Sequence, residues 1–311
     1  MISFTHHKNL NLNSFYKHMQ NAVITNQFTN YGNAVRTLEE KARDMLKIDD
    51  TKAIIATCNG AAALNTIIQT IRTNENVYSQ DFTFPCNFQI PDVDTIPFDL
   101  TYDNEPDIYR ITKPGIIIIT NCFGHVNNID GILDYAKNHK QLVIFDNAAS
   151  PYSFYKNSNI SNYGIASYIS LHHTKPIGFG EGGLVIIDKA YEDKARSIIN
   201  FGLVNKVPTY KGSNYKMNEL SAAGILQWWE SFDIEDVKNK YISAYYKYKT
   251  KNTKILPNYS DNFFPNCLPV VSSDLRFDNM DVRKYYAPNK GLEYSAKLYA
   301  KISCVPITEF L

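Results

Sequence analysis

Residues 116–146 read IIIITNCFGHVNNIDGILDYAKNHKQLVIFD and contain the elements of a βαβ unit. Residues 116–119 form an unbroken run of isoleucine, which is typical of a strand buried on both faces, as in a parallel sheet. The pattern then predicts a helix over residues 130–140 and a second strand over residues 141–146. Strand, helix and strand within about 30 residues indicate two parallel strands joined by a crossover helix.

The rest of the chain continues this alternation. Short apolar runs predict strands, and apolar residues at helical spacing predict helices. The predicted strands are residues 53–56, 165–170 and 184–188, and the predicted helices are residues 60–71, 189–200, 217–229 and 234–249. We therefore expect an α/β fold, a mostly parallel sheet with helices on both faces. We also expect a large domain with an N-terminal arm over residues 1–250 and a small, shortened C-terminal domain over residues 251–311.

Composition argues against several classes of protein. The 311 residues are 44% hydrophobic and carry 32 basic against 31 acidic side chains, for a net charge of +1. This balance argues against a broad affinity for nucleic acid or anionic membranes. No stretch approaches the roughly 20 apolar residues of a spanning helix, and the N-terminus does not resemble a signal peptide, so we expect a cytoplasmic protein. The five cysteines are scattered without CxxC spacing, which argues against a disulfide framework or a metal site.

A glycine-rich segment, Gly178–Gly183, satisfies the GxGxxG expression of a dinucleotide-binding site. That signature requires a helix directly after the glycines, because the pyrophosphate binds at the N-terminus of the helix. Here the sequence LVIID follows, which predicts a strand. The segment is therefore not interpreted as a dinucleotide-binding site, because no helix is predicted directly after it.

Lys175 and Asp146 together match the two demands that pyridoxal phosphate makes on a protein. Lys175 lies in a loop before the glycine-rich segment, and Asp146 lies at the carboxyl end of a predicted buried strand, where open α/β sheets place ligands. The lysine can form a Schiff base with the cofactor, and the aspartate can keep the pyridine nitrogen protonated. Each residue alone also has an ordinary interpretation, as a solvated lysine and as a structural cap.

A phosphate site is available at Thr57–Ala61, between the first predicted strand and its helix. Small residues there let backbone N–H groups and the helix dipole approach an anion, although an ordinary strand-to-helix turn explains the same residues. Phe84, in the segment DFTFPCN, offers an aromatic face to a planar ring. Core packing is the default explanation for such a phenylalanine.

These motifs resemble, in the same order, those of the DegT/DnrJ/EryC1/StrS family of pyridoxal-phosphate-dependent sugar aminotransferases. The segments CNGAAAL, FTFPCN, VIFDNAAS, SLHHTKPIGFGEGGLVI and KGSNYKMNELSAAG are similar to its phosphate turn, aromatic loop, aspartate strand, lysine motif and dimer-contact helix. The resemblance implies a three-layer α/β/α fold of the aspartate aminotransferase type. It also implies pyridoxal phosphate as cofactor, pyridoxamine phosphate as intermediate, and a homodimer with shared active sites.

The resemblance also implies roles for individual residues. Lys175 would bind the cofactor covalently and carry the proton, Asp146 would pair with the pyridine nitrogen, and Phe84 would stack on the ring. Further cofactor contacts would come from Gly60, Ala61, Ser170, Ala149 and Asn214, the last of which would reach the phosphate of the neighbouring subunit. Contacts with the substrate would come from His125, His172 and Tyr31.

The activity implied by the resemblance is transfer of an amino group, from L-glutamate, to a nucleotide-linked keto-deoxy sugar for surface polysaccharide or glycan biosynthesis. One alternative is a dehydratase of the same family, against which Lys175 argues because those members carry histidine there. Another is a non-catalytic member that binds the cofactor or a sugar nucleotide. It is motivated by Ala149 in place of the family's usual glutamine, by Ala61 in place of a frequent threonine, and by the shortened C-terminal domain. The sequence leaves the sugar, the nucleotide and the aminated carbon open.

Overall fold

The computed structural model describes residues 1–72, 74–249, 253–272 and 277–308. The helices are α1 (Leu12–Thr25), α2 (Asn33–Leu46), α3 (Gly60–Ile71), α4 (Ile129–Asn138), α5 (Glu192–Ile198), α6 (Glu219–Trp229), α7 (Ile234–Tyr248) and α8 (Glu293–Lys301). The strands are β1 (Lys52–Thr57), β2 (Asn76–Gln80), β3 (Ile96–Phe98), β4 (Gly115–Thr120), β5 (Gln141–Asp146), β6 (Phe154–Tyr155), β7 (Ser158–Asn159), β8 (Ala166–Ser170), β9 (Gly183–Asp188), β10 (Leu203–Val204), β11 (Val207–Pro208), β12 (Leu268–Val271) and β13 (Ile302–Val305). Strands and helices alternate along the chain, and the predicted α/β class is confirmed. None of the helices in the described residues has the length and apolar character needed to cross a membrane.

The chain divides into two compact units. The first unit consists of Met1–His6, Asn74–Ile160 and the described part of Glu235–Leu311. The second unit consists of the described part of His7–Thr73 together with Ser161–Ile234. The predicted division into residues 1–250 and 251–311 does not follow these units and stays a prediction.

The first unit holds four parallel strands in the order β5-β4-β2-β3. All six residues of β4 are buried, as the isoleucine run predicts for a parallel strand with both faces covered. Helix α4 begins after Asn128, whose side chain accepts a hydrogen bond from the N–H of Gly131. The register of β4 and β5 pairs Thr120 with Asp146, so the two residues end neighbouring strands at the same edge.

In the second unit, β1, β9 and β8 pair in that order, and β9 runs antiparallel to both neighbours. The prediction of a mostly parallel sheet did not identify this reversed strand. Parallel neighbours need a crossover connection, usually a helix. Residues 171–182, which join β8 to β9, form no helix and turn the chain back on itself, so β9 pairs antiparallel with the strand before it.

The N-terminus of helix α2 in the second unit is capped by a distant glutamate. Gly32 precedes the helix and has no side chain to cap it, while the buried carboxylate of Glu219 accepts hydrogen bonds from the N–H groups of Ala34 (2.7 Å) and Val35 (3.3 Å). A Cβ atom at Gly32 would lie only 2.5 Å from this carboxylate. A side chain at position 32 would therefore displace the Glu219 carboxylate, which stabilises the N-terminal amides of α2.

Candidate active site

The predicted phosphate turn lies at the start of helix α3 in the second unit. The side chain of Asn59 caps the helix by accepting a hydrogen bond from the N–H of Ala62 at 2.8 Å. The first-turn amides of Gly60 and Ala61 have no carbonyl one turn earlier in the helix to bind. A helix start of this kind, with a small first residue, favours an anion because of the exposed N–H groups and the helix dipole.

Ser170, the last residue of β8, lies directly beside this turn. A Cβ atom at Gly60 would lie 3.2 Å from the Ser170 Cβ and 3.5 Å from its Oγ. Ser170 Oγ accepts a hydrogen bond from the N–H of His172 (3.3 Å), which leaves its hydroxyl hydrogen to donate. The structure thus brings together Gly60, Ala61 and Ser170, three predicted phosphate ligands from two separate segments. Gly183 permits this approach, because a Cβ there would lie 2.4 Å from the Asn59 carbonyl oxygen.

Lys175 lies in the lysine turn, which we define as residues 171–182 between β8 and β9. Its backbone N–H donates to the His172 carbonyl (2.8 Å), and its own carbonyl accepts from the N–H of Gly178 (3.0 Å). The side chain is half-buried. The glycines after it lead into strand β9, so the rejection of a dinucleotide-binding motif is confirmed.

His172 is held inside the lysine turn. Its Nδ1 accepts a hydrogen bond from the N–H of Thr174 (3.2 Å), so the ring proton belongs on Nε2, which lies 3.5 Å from a carboxylate oxygen of Glu181. The Thr174 hydroxyl also lies 2.9 Å from Nδ1. These contacts orient the imidazole, and the predicted contact with the substrate stays a prediction.

Asp146 lies at the carboxyl end of β5 in the first unit and is only 2% exposed. The Thr120 hydroxyl donates to its Oδ2 at 3.0 Å, and the N–H of Ala148 donates to its Oδ1 at 3.1 Å. Thr83 Oγ1 lies 2.6 Å from the Thr120 hydroxyl and 3.5 Å from Asp146 Oδ2. Both oxygens of the carboxylate thus accept hydrogen bonds, and an aspartate held in this way can pair with a protonated pyridine nitrogen.

Sequence reasoning did not single out Thr83 and Thr120 as site residues. The sequence did contain an indication of Thr120, since this residue directly follows the isoleucine run and precedes the polar Asn121. Thr83 lies in a loop, and its approach to Asp146 depends on tertiary structure. Asn87 extends the network, because its side-chain amide donates to Thr83 Oγ1 at 3.2 Å.

Phe84 is 57% exposed, whereas Phe82, two residues earlier, is 1% exposed and packs against Phe123 and Tyr286. Core packing therefore accounts for Phe82 and does not account for Phe84. The exposed ring follows Thr83, whose hydroxyl lies beside the Asp146 carboxylate. This placement supports an aromatic partner for a planar ring, and the stacking itself stays a prediction.

The loop that carries Phe84 is held by the segment YYAPNKG, residues 285–291. The side-chain amide of Asn289 donates to the carbonyls of Asp81 and Thr83, each at 3.1 Å. The Asp81 carboxylate accepts in return from the N–H groups of Lys290 (2.6 Å) and Leu292 (2.7 Å). Asn289 is thus a further residue that sequence reasoning missed, because it is more than 200 positions away from the loop that it holds.

His125 and Ala149 are buried in the first unit. The Nε2 of His125 lies 3.0 Å from the Tyr245 hydroxyl, and burial lowers the pKa of the imidazole to about 4. His125 also lines a cavity of about 30 Å³, which is room for about one water molecule. Ala149 is buried and has no hydrogen-bonding side chain. Their predicted contacts with the sugar and the cofactor stay predictions.

Tyr31 and Asn214 lie in the second unit. The Tyr31 hydroxyl donates to Glu39 at 2.5 Å, and burial, together with that carboxylate, raises the pKa of the phenol. The guanidinium of Arg196 lies 4.7 Å from the centre of the Tyr31 ring. Asn214 is exposed. The roles predicted for these two residues, with substrate and with a neighbouring subunit, stay predictions.

The sequence profile of the DegT/DnrJ/EryC1/StrS aminotransferase family matches residues 12–261. The chain belongs to this aminotransferase family. The dTDP-4-amino-4,6-dideoxy-D-glucose transaminase of Shigella dysenteriae is 24% identical over 337 residues, which cover 95% of this chain and 91% of that enzyme. The crystal structure of DesI in the presence of its TDP-sugar product has a TM-score of 0.81 at 19% identity, covering 98% of this chain and 87% of DesI. NtdA from Bacillus subtilis, with bound cofactor PMP, has a TM-score of 0.74 at 17% identity, covering 96% and 78%.

Family membership confirms the prediction that the protein is an aminotransferase, and the similarity to the solved structures supports the predicted α/β fold. Pyridoxal phosphate, which the family implies, fits the donors present in each unit of this aminotransferase. The second unit offers an anion cradle at Gly60, where a side chain would meet Ser170, and a lysine in the turn that follows β8. The first unit offers a buried carboxylate held by hydroxyl groups and an exposed phenylalanine ring. These are the groups that a phosphate, an aldehyde, a pyridine nitrogen and an aromatic ring require.

Proposed function

We propose that this aminotransferase transfers an amino group from L-glutamate to the ketone of a nucleotide-linked keto-deoxy sugar, with pyridoxal phosphate as the carrier. The product would serve surface polysaccharide or other glycan biosynthesis. The observation that carries the proposal is the arrangement of the second unit, in which Lys175 follows an anion cradle formed by Gly60, Ala61 and Ser170. The substrate class is supported by the transaminase of Shigella dysenteriae, which is similar to this chain over nearly its whole length. A cytoplasmic location stays a prediction.

Different residues of this chain are proposed to bind the phosphate group and the pyridine nitrogen of the cofactor. The amides of Gly60 and Ala61, with the Ser170 hydroxyl, bind the phosphate group. Asp146, oriented by the Thr120 hydroxyl, would hold a proton on the pyridine nitrogen. When bound, pyridoxal phosphate supplies an electron sink that allows a hydrogen on the amino-bearing carbon to leave as a proton.

Lys175 carries this proton. Its amine can accept a proton from the donor carbon in the first half-reaction and return one to the sugar carbon in the second. The exposed ring of Phe84 would stack on the cofactor ring. The hydrogen-bonded backbone on both sides of Lys175 keeps the amine within a limited range of positions.

We infer that the active enzyme is a homodimer in which Asn214 of one copy serves the site of the other. The second unit exposes apolar side chains at Ile24 on α1 and at Phe201 and Val207 beside the strand pair β10 and β11. Asn214 is exposed in the same unit. Light scattering tests the dimer, and a mixture of Lys175→Ala and Asn214→Ala proteins tests the shared site. The mixed dimer would regain one complete site, so a mixture as inactive as its parents contradicts the shared arrangement.

The function itself is tested with protein loaded with pyridoxamine phosphate and incubated with a panel of nucleotide-linked keto sugars. Loss of the pyridoxamine spectrum with one sugar identifies the acceptor. Lys175→Ala should lose turnover, while Lys189→Ala, an exposed lysine in the same unit, should retain it. Full turnover by the Lys175→Ala protein refutes the proposal. Dehydration without amino transfer indicates the dehydratase, and failure to take up cofactor indicates a non-catalytic member.

A further inference from the structure

The backbone of the lysine turn is held by a lysine from the N-terminal arm. The ammonium group of Lys8 donates hydrogen bonds to the carbonyl oxygens of His173 (2.7 Å), Lys175 (2.5 Å) and Gly178. Lys8 is 8% exposed and is 165 to 170 positions away from its acceptors. One buried side chain thus binds three carbonyls of the short segment around Lys175.

Two tryptophans of α6 complete the set of donors. The indole N–H of Trp228 donates to the Pro176 carbonyl (3.1 Å), and that of Trp229 donates to the Ile177 carbonyl (2.7 Å). The ammonium of Lys8 also lies 5.4 Å from the centre of the Trp228 ring. Every carbonyl from residue 175 to residue 178 therefore accepts a hydrogen bond from a side chain outside the turn.

The protonated form of Lys8 suits these contacts. An ammonium group has three N–H bonds and matches three carbonyls, whereas a neutral amine has only two. Burial by itself lowers the pKa of Lys8 to about 7, and the three carbonyl dipoles oppose this effect because they stabilise the charge. Lys8 is thus a buried amine whose hydrogen bonds are accepted by backbone carbonyls of the lysine turn.

We propose that Lys8 is a positioning residue, which holds the backbone on both sides of Lys175 so that the amine keeps one position through both half-reactions. The proposal rests on the proposed function of Lys175. A proton carrier must return to the same atoms in each half-reaction, and a displacement of about 1 Å is enough to reduce a rate substantially. Lys8 acts only through the backbone of the turn, so it is expected to affect the rate at saturating substrate more than the KM.

The experiment compares holoenzymes carrying Lys8→Met, which keeps an unbranched side chain and removes its donors, and Lys8→Arg, which keeps charge and donors. The matched control is Lys52→Met, since Lys52 is also a buried lysine of the second unit and donates to a carbonyl, that of Gly164, at 2.6 Å. Two kinds of measurement are made. The first is the single-turnover kinetics of the glutamate half-reaction, whose maximal rate and half-saturating glutamate concentration are taken as kcat and KM, and the second is hydrogen–deuterium exchange of the amides of residues 171–182.

We expect Lys8→Met to lower kcat by about tenfold with little change in KM, and to speed exchange at the amides of Lys175 and Gly178. Lys8→Arg should recover most of the lost rate, and Lys52→Met should change neither quantity. If Lys8→Met fails to fold, Trp228→Phe removes the donor to Pro176 while keeping an aromatic ring, and the same two measurements apply.

Two results would overturn the positioning role. One is a Lys8→Met enzyme with unchanged kcat and unchanged exchange in the lysine turn, whatever its thermal stability. The other is an equal loss of rate in the Lys52→Met control. A wild-type holoenzyme that does not convert glutamate is a different failure, because it overturns the proposed function and, with it, the role of Lys8.

Discussion

Protonation of His125 is expected to destabilise the first unit in mild acid. The imidazole is 3% exposed, and burial lowers its pKa from 6.5 to about 4. The unfolded chain therefore binds a proton at pH values where the folded chain does not. The stabilisation from the neutral imidazole is complete above pH 6.5 and is lost as the pH falls from 6.5 to 4.

The size of the effect follows from the difference between the two pKa values. Each unit corresponds to about 1.36 kcal/mol, so the free energy of unfolding should fall by about 2 kcal/mol between pH 7.5 and pH 5 because of this residue alone. The loss approaches about 3 kcal/mol at pH 4. Carboxylates elsewhere titrate in the same range, so the wild type must be compared with a variant that lacks the imidazole.

The assay is urea unfolding of the wild type and of His125→Gln at pH 7.5 and pH 5. The variant is expected to be less stable at pH 7.5, since it loses the contact with Tyr245, but its stability should depend less on pH by about 2 kcal/mol. His139→Gln serves as the control, because His139 is only half-buried and should leave the pH dependence as in the wild type. Equal pH dependence in the wild type and His125→Gln would refute the reasoning.

Two further predictions concern the contacts of buried groups. Glu219→Ala should lower the free energy of unfolding, measured in urea, by about 3 kcal/mol, because two amides of α2 lose their carboxylate acceptor. The control is Glu40→Ala, at an exposed glutamate, which should change this free energy by less than about 0.5 kcal/mol. Similar values for the two variants would contradict the capping role of Glu219. Thr120→Val should weaken pyridoxal phosphate binding by about tenfold in a fluorescence titration, because Asp146 loses a hydrogen bond that orients it. Thr95→Val, at a buried threonine whose hydroxyl has no hydrogen-bond partner in the described residues, is the control, and equal affinities would contradict the role of Thr120.

Local regularity made parts of the fold predictable. The helix over Gly60–Ile71 and the strand over Gln141–Asp146 have the bounds that the sequence predicts. Both depend on the spacing of apolar residues, which is a property of consecutive positions. The direction of β9 could not be predicted in this way, because it depends on whether the connection after β8 crosses over the sheet or turns back on itself.

In the candidate site too, some residues could be identified from the sequence and others could not. Lys175, Asp146 and the Gly60 turn could be proposed from motifs, since each lies in a short segment with a chemical purpose. The surroundings of these residues could not, because they come from distant segments. Thr120 binds Asp146 from a neighbouring strand, Lys8 binds the lysine turn from at least 165 positions away, and Phe82 and Phe84 differ only in which ring the fold buries.

The sequence by itself therefore determined the α/β class, several helices and strands, and the residue types that aminotransferase chemistry requires. The tertiary structure alone decided which groups form hydrogen bonds with those residues and orient them. The physical reason is that secondary structure follows from interactions within a few positions, whereas burial and hydrogen bonding depend on segments far apart in the chain. Asp146 is identified by its strand, but the hydroxyl groups that orient its carboxylate are brought to it only by the folded chain.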